Sequence, residues 1–271
     1  MAVTPFQGEI LRLLARQRRE RGESYVAGGV ALNTLLAAPR RSRDIDLFHD
    51  TEAALAATWS ADRALLEGHG CAVKPLREAA SFVEAAVSKG SERTVMQWAR
   101  DSAYRFFPLV EDDSMGLTLH PFDLATNKVL AMAGRMEVRD WVDGIQCNES
   151  LQPLGCLVWA ACGKDPGYNP HSLLAAARRL HYSQNEVDTL DFENQCPDAA
   201  VLGGRWHQAL ADGAAIVEGL PPEHVGEAVI TRDALLFRGN AVDLATAIGL
   251  GGISYHEGCI GGSWPRILTA K

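Results

Sequence analysis

The chain has 271 residues, of which 47% are hydrophobic and 22% charged, values that are typical of a globular protein with a substantial core. Its formal net charge of −8 argues against a broadly basic nucleic-acid-binding protein, although a local basic groove is compatible with it. No apolar run approaches the ~20 residues of a membrane span, and no signal-peptide pattern is present. We therefore expect a cytoplasmic protein with no membrane partner, whose six cysteines are reduced thiols.

The first predicted elements lead to a pair of glycines. Residues 6–21 have the periodicity of an amphipathic helix, and Tyr25–Ala27 is predicted to be a strand. Gly28 and Gly29 then form a turn, and a short helix is predicted over Val30–Ala37. Because neither glycine has a Cβ, the backbone can approach a ligand closely, and the N–H groups that open the helix suit a phosphate. The sequence therefore predicts a phosphate-binding turn.

Two aspartates follow on the next predicted strand, Asp44–Phe48. Residues two apart in a strand point to the same face, so Asp44 and Asp46 project together. Two carboxylates on one face suit Mg²⁺, which prefers carboxylate, water and phosphate oxygens. A lone Asp-x-Asp is usually a solvated strand edge, but here it follows a glycine pair and the residues Arg41 and Ser42. The combination predicts phosphoryl or nucleotidyl transfer.

Later elements predict a sheet beside this strand. A helix is predicted over Thr51–Gly68, with Thr51 as its N-cap. A short strand is predicted over Cys71–Pro75, and then a β-hairpin whose arms are Phe82–Ser88 and Arg93–Arg100. We expect the second arm to lie beside the strand that carries the two aspartates.

Two sets of residues resemble the motifs of a known superfamily. Gly28-Gly29…Ser42-x-Asp44-x-Asp46 resembles the opening motif of the polymerase-β-type nucleotidyltransferases. Asp123-Leu-Ala-Thr-Asn-Lys128…Arg135, with Arg139-Asp140…Asp143, resembles the later motifs of the AbiEii/AbiGii-type nucleotidyltransferase toxins of bacteria. The resemblance covers roughly the first 150 residues, and the later part of the chain is similar only in general character.

The resemblance implies an enzyme of the EC 2.7.7 type that uses Mg²⁺ and a nucleoside triphosphate, with tRNA as a candidate acceptor and a cognate antitoxin as a candidate partner. The implied site residues are as follows: catalytic Asp44, Asp46, Lys128 and Asp140; nucleotide-binding Gly28, Gly29, Arg41, Ser42 and Lys128; metal-binding Asp44 and Asp46. In this scheme Lys128 stabilises phosphate charge, and Asp140 either orients Lys128 or acts as a base.

One position departs from the family pattern. The resembling proteins carry a third carboxylate on the strand beside the aspartates, and Gln97 stands in that place. Its amide oxygen can bind a metal but brings no negative charge. We expect weaker Mg²⁺ binding, or the involvement of another acid such as Glu84 or Asp101.

The remaining chain is predicted to be mainly helical from Pro153 to about residue 218, with its last helix beginning at Trp206. Short strands, the first over residues 234–239, are predicted around a helix at Val242–Ile248. The predicted fold class is α/β (α+β): a polymerase-β-like nucleotidyltransferase domain with a mixed sheet, a mainly helical C-terminal domain and a small terminal β element. The predicted domains are 1–150, 151–230 and 231–271, the last packing on the body.

Three functions are open at this point. The first is transfer of NMP to a hydroxyl of tRNA or protein, in a toxin–antitoxin or phage-defence system. The second is nucleotidyl transfer to a small molecule such as an antibiotic, which the acidic composition favours slightly over RNA. The third, motivated by Gln97, is a catalytically weakened protein that binds a nucleotide or a partner.

Overall fold

The computed structural model describes residues 3–265. The helices are α1 (Pro5–Arg21), α2 (Gly28–Leu35), α3 (Glu52–Gly68), α4 (Pro121–Arg135), α5 (Val138–Ser150), α6 (Leu154–Ala161), α7 (Pro170–Ala177), α8 (Gln184–Val187), α9 (Ala199–Gly219) and α10 (Ala241–Gly249). The strands are β1 (Tyr25–Ala27), β2 (Arg40–Arg41), β3 (Asp44–His49), β4 (Ala72–Ala79), β5 (Phe82–Lys89), β6 (Glu92–Arg100), β7 (Tyr104–Arg105), β8 (Val110–Asp112), β9 (Gly116–Thr118), β10 (Asp191–Phe192), β11 (Ala228–Thr231), β12 (Ile253–His256) and β13 (Cys259–Ile260). No helix in this part of the chain combines the length and apolarity that a membrane span requires.

The chain divides into two compact units. The first covers the residues up to Ala103, Leu109–His120 and Asp191–Asn194; the second covers Tyr104–Pro108, Pro121–Leu190 and the chain from Gln195 onward. These bounds differ from the predicted division at residue 150 because α4 and α5 pack with α6, α7 and α9. The apolar faces of these five helices therefore share one core.

The first unit is built on a seven-stranded mixed sheet with the order β4-β5-β6-β3-β1-β9-β8. Strand β3 runs parallel to β6, and β1 runs parallel to β9, whereas the other neighbours are antiparallel. The predicted hairpin is present as β5 and β6, and its second arm lies beside β3 as predicted.

Helices α1 and α3 pack on one face of this sheet. Ile45 and Leu47 of β3 are completely buried on that face, as are Met96 and Trp98 of β6. Polar side chains tie the layers together: the Trp98 indole N–H donates to Asp62 of α3 at 3.0 Å. The opposite face of β3 therefore carries its alternate residues, which are only half-buried.

The second unit is mainly helical. Helix α6 is buried along its whole length and packs against α4 and α9, as its apolar sequence predicts. Strands β11 and β12 form an antiparallel pair, and β13 pairs with β7. His256 is buried, with its Nε2 atom 2.8 Å from the carbonyl oxygen of Phe106 and 2.9 Å from that of Ser263, so it has a structural role.

Several predicted boundaries are wrong. Helix α2 begins at Gly28 rather than Val30. Helix α9 begins at Ala199, not at Trp206, because Asp198 caps it and the helix runs through two glycines that weaken the sequence pattern. The strand predicted at 234–239 is absent apart from one bridge at Leu236, because Ala234 adopts a φ of +62° in a tight turn. That turn leads back to β11, which was not predicted.

Candidate functional site

The glycine pair lies directly against the carboxylate of Asp46. Strand β1 pairs with β3 so that Ala27 lies opposite Asp46, and the chain turns into α2 at the next residue. Gly28 has a φ of +63°, and a Cβ added there would lie 1.8 Å from Asp46 Oδ2. A Cβ on Gly29 would lie 2.8 Å from Ser42 Oγ. A side chain at either position would collide with a site residue, so glycine is required at both. The sequence did not reveal these contacts.

The start of α2 is open to an anion. Its N-cap residue is Ala27, which has no side-chain acceptor for the N–H groups of the first turn, and no acidic residue lies in that turn. The N–H groups of a first helical turn and the helix dipole both favour negative charge at this end. A phosphate-sized anion would therefore find donors next to Ser42 and Asp46.

Asp44 and Asp46 share a face of β3, as predicted. The burial pattern of the strand alternates, with the two aspartates half-buried on one face and Ile45 and Leu47 buried on the other. The carboxylates are therefore held by a strand whose other face is fixed in the core.

Gln97 lies beside Asp46 in the neighbouring strand, where the sequence placed it. The parallel register pairs Asp46 with Gln97, and the antiparallel register on the other side pairs Gln97 with Glu84. Gln97 Nε2 donates to Glu84 Oε1 at 3.0 Å. Of the two acids considered as substitutes for the missing carboxylate, Glu84 is thus the one in contact with Gln97.

The donor set suits a magnesium ion that arrives with a nucleotide. Within residues 3–265, no three His, Cys, Asp or Glu side chains form a metal-binding cluster. Mg²⁺ is commonly held by one or two carboxylates together with substrate phosphates and water, rather than by a full protein cage. Asp44 and Asp46 could provide these carboxylates, and Gly28 leaves the space that the Asp46 carboxylate occupies.

Gln7 forms hydrogen bonds with the loop that contains Ser42. Gln7 Nε2 lies within hydrogen-bond distance of the carbonyl oxygens of Ser42 and Arg43, each at 3.0 Å, and of Thr94 Oγ1 at 3.2 Å. Sequence reasoning missed this residue. Its signal is the capping box Thr4-x-x-Gln7 that opens α1, which orients Gln7 at the helix start.

A short strand from a distant part of the sequence pairs with the strand that contains Arg41. Strand β10 pairs with β2, so that Asp191 lies opposite Arg41, with 3.9 Å between the Arg41 guanidinium and the Asp191 carboxylate. Both side chains are partly exposed, so this ion pair is weak. The predicted nucleotide-binding arginine thus faces a carboxylate that a phosphate could replace.

Lys128 and Asp140 meet in the second unit. Lys128 Nζ lies 2.8 Å from Asp140 Oδ1 and 3.0 Å from Asp143 Oδ2, and its side chain is only 8% exposed. Arg135 binds Asp140 through two nitrogens, at 2.7 and 3.0 Å. Burial acts to raise the pKa of Asp140, but the hydrogen bonds and charges of Arg135 and Lys128 outweigh it and hold that pKa below its ordinary value.

This geometry bears on the two roles considered for Asp140. An ionised carboxylate that is bound by two cations is a weak base at neutral pH. The contacts favour the role of orienting Lys128. The site residues thus form two groups, one around Asp46 in the first unit and one around Lys128 in the second.

The fold has counterparts among solved structures. MenT4, a nucleotidyltransferase toxin from Mycobacterium tuberculosis H37Rv, matches with a TM-score of 0.52 and 15% identity over 80% of this chain and 83% of that chain. JHP933 from Helicobacter pylori matches with a TM-score of 0.51 and 14% identity, over 80% and 95% of the two chains. A protein from H. pylori that is named as a candidate nucleotidyltransferase gives 0.51 and 16%, over 80% and 97%.

The chain shares its fold with these solved structures. This confirms the predicted fold class, and the AbiEii/AbiGii subtype stays a prediction. Neither the protein-family models nor the curated proteins give a match to the sequence. Because the structural relatives share so little sequence, they show the fold alone, and the activity has to be argued from the residues of the candidate site.

Proposed function

We propose that the protein is a Mg²⁺-dependent nucleotidyltransferase that transfers NMP from a nucleoside triphosphate to an acceptor hydroxyl. The observation that carries this proposal is the contact between the glycine turn and Asp46, which joins an open helix N-terminus to a pair of carboxylates. A phosphate seat beside two metal-binding carboxylates is the combination that phosphoryl chemistry needs.

In the proposed reaction the acceptor oxygen attacks the α-phosphorus. The bond from that phosphorus to the oxygen that bridges to the β-phosphate breaks, and pyrophosphate leaves with the electron pair. The proton of the acceptor hydroxyl passes to water. Bound Mg²⁺ would supply charge neutralisation at the phosphates.

The residues of the chain position the reactants. Asp44 and Asp46 hold the metal, and the first N–H groups of α2 and the hydroxyl of Ser42 donate to the triphosphate. Arg41 adds positive charge at the same loop. Lys128 and Asp140 stay predicted catalytic residues, with Asp140 orienting Lys128, a role that their 2.8 Å contact supports.

We propose tRNA as the acceptor and a cytoplasmic toxin, neutralised by an antitoxin, as the biological setting. The support is the likeness in fold to MenT4, which is named as a nucleotidyltransferase toxin. The free thiols of all six cysteines are consistent with a reducing compartment.

Two specific observations favour other candidates. The net charge of −8 favours a small-molecule acceptor over RNA. The amide of Gln97 in place of a carboxylate favours a protein that binds nucleotide with weakened turnover.

The test is transfer of label from the α-phosphate. The protein is incubated with Mg²⁺, each of four α-labelled nucleoside triphosphates and total bacterial tRNA, with Asp46→Asn as the control because it keeps the shape of the side chain against Gly28. Label on tRNA that the control lacks supports the proposal, and label on the protein means self-modification. Nucleotide binding without any transfer favours the weakened protein, and a steep loss of tRNA binding with salt separates RNA from small acceptors.

A further inference from the structure

The amide of Gln97 has a defined orientation. Gln97 lies between Glu84 on one side and Asp46 on the other, all on the same face of the sheet. A carboxylate can only accept hydrogen bonds, so the end of the amide that faces Glu84 is the NH₂ group, at 3.0 Å. The amide oxygen of Gln97 therefore takes no part in the hydrogen bond to Glu84.

We infer that Glu84 is a positioning residue for the metal site: it holds the Gln97 amide so that Oε1 serves Asp46 and Asp44 as a neutral third ligand. This inference rests on the proposed function, because it assumes that the two aspartates bind a divalent cation. It assigns to Glu84 a role that acts through another side chain.

The physical reason lies in the two ends of an amide. An amide that is free to rotate presents its positive NH₂ end to a cation as readily as its oxygen, which reduces its value as a ligand. A hydrogen bond from the NH₂ group to a carboxylate removes that alternative. Partners of this kind behind a metal ligand commonly change metal affinity by about 10- to 100-fold when they are removed.

The surroundings of Glu84 fit this role. Arg77 lies opposite Glu84 on β4, and its guanidinium packs over the ring of Phe82 with 5.2 Å between the guanidinium carbon and the ring centroid. Arg77 thus places a positively charged residue on the side of Glu84 that faces away from Gln97. The order across the sheet is therefore cation, anion, amide and metal-binding carboxylate.

The test measures Mn²⁺ binding to the full chain by electron paramagnetic resonance, in the presence of a non-hydrolysable triphosphate. Glu84→Met removes the acceptor at similar size, and we expect a 10- to 100-fold loss of Mn²⁺ affinity. Glu84→Gln keeps an oxygen that can accept from Gln97, so its affinity should stay close to that of the wild type. Glu78→Met is the matched control, since it removes an exposed acid from the same sheet.

A double-mutant cycle guards against effects on folding. Gln97→Met removes the amide oxygen and should lose as much affinity as Glu84→Met, and the double variant should lose no more than either, because both act through one ligand. Thermal unfolding midpoints close to that of the wild type would show that all variants fold.

The outcomes separate the inference from the function. Wild-type affinity in Glu84→Met, with binding abolished in Asp46→Asn, overturns the role of Glu84 and leaves the proposed function standing. Equal losses in Glu84→Gln and Glu84→Met also overturn it, since charge rather than orientation would then matter. No Mn²⁺ binding by the wild type refutes both.

Discussion

Replacing Gly28 by alanine tests whether the glycine turn sets the position of the Asp46 carboxylate. The added Cβ would lie 1.8 Å from Asp46 Oδ2, and ordinary van der Waals contact begins at 3.4 Å. The two atoms must therefore separate by about 1.6 Å. A displacement of a catalytic group by about 1 Å commonly costs about 100-fold in rate, so we expect at least that loss of activity.

The Gly28→Ala variant also strains the backbone, and replacing a second glycine measures that strain without the collision. Gly28 has a φ of +63°, where alanine is less stable by about 1–2 kcal/mol. Gly90, in the turn between β5 and β6, has a φ of +62° and no atom within 4 Å of an added Cβ. Gly90→Ala therefore has the strain without the collision. We expect Gly28→Ala to lose about 1–3 kcal/mol more free energy of unfolding than Gly90→Ala, as overpacking does.

The measurements are urea unfolding for stability and the transfer of α-phosphate label for activity. Gly90→Ala should keep the activity of the wild type. If Gly28→Ala and Gly90→Ala behave alike in both assays, Asp46 is not held by this contact, and the reasoning for the site is wrong.

Three further predictions concern buried and partly buried charges. Burial lowers the pKa of His49 to about 4 from 6.5, so the folded chain loses stability as the pH falls from 6.5 toward 4. This loss is on the order of 3 kcal/mol, and His49→Gln should remove most of it when urea unfolding is measured at several pH values. Lys128→Met removes the cation that Asp140 and Asp143 share and leaves Asp140 with Arg135, so it should cost about 3–5 kcal/mol in the same assay, together with a loss of transfer activity. Asp191→Asn should leave stability within about 0.5 kcal/mol and tighten triphosphate binding in calorimetry, because it frees Arg41 from a competing carboxylate; unchanged binding would contradict this.

The first unit could be predicted well because its signals are local. Alternation of apolar residues identified β3 and the hairpin, and a threonine cap identified the start of α3. The predicted position of the second arm of the hairpin beside β3 is confirmed by the pairing of β6 with β3. The strand, the hairpin and the start of the helix each depend on residues within one element or one turn, where pattern and propensity act directly.

The parts that could not be predicted depend on contacts between distant residues. The strand expected at 234–239 has suitable residues, but a turn at Ala234 returns the chain to β11 instead. The contact of β10 with β2 joins residues about 150 positions apart, and no local pattern in a two-residue strand announces it. Gln7 supports the loop of Ser42 from a helix that was predicted as amphipathic, and no local pattern indicated this contact.

The proposed site likewise has features that a local pattern predicts and features that depend on distant residues. The glycine pair and the two aspartates lie within 19 consecutive residues, so one stretch of sequence was enough to indicate the chemistry. The strength of the proposed metal site would instead depend on Gln97 and Glu84, which are brought beside Asp46 by the register of two further strands. A carboxylate can bind a cation through either of its two oxygens, whereas a neutral amide has only one oxygen. The orientation of the amide therefore affects cation binding more than the orientation of a carboxylate would. With an amide in the place of a third acid, the proposed activity would require a neighbour that fixes this amide, and the side chain that accepts its hydrogen bond is Glu84.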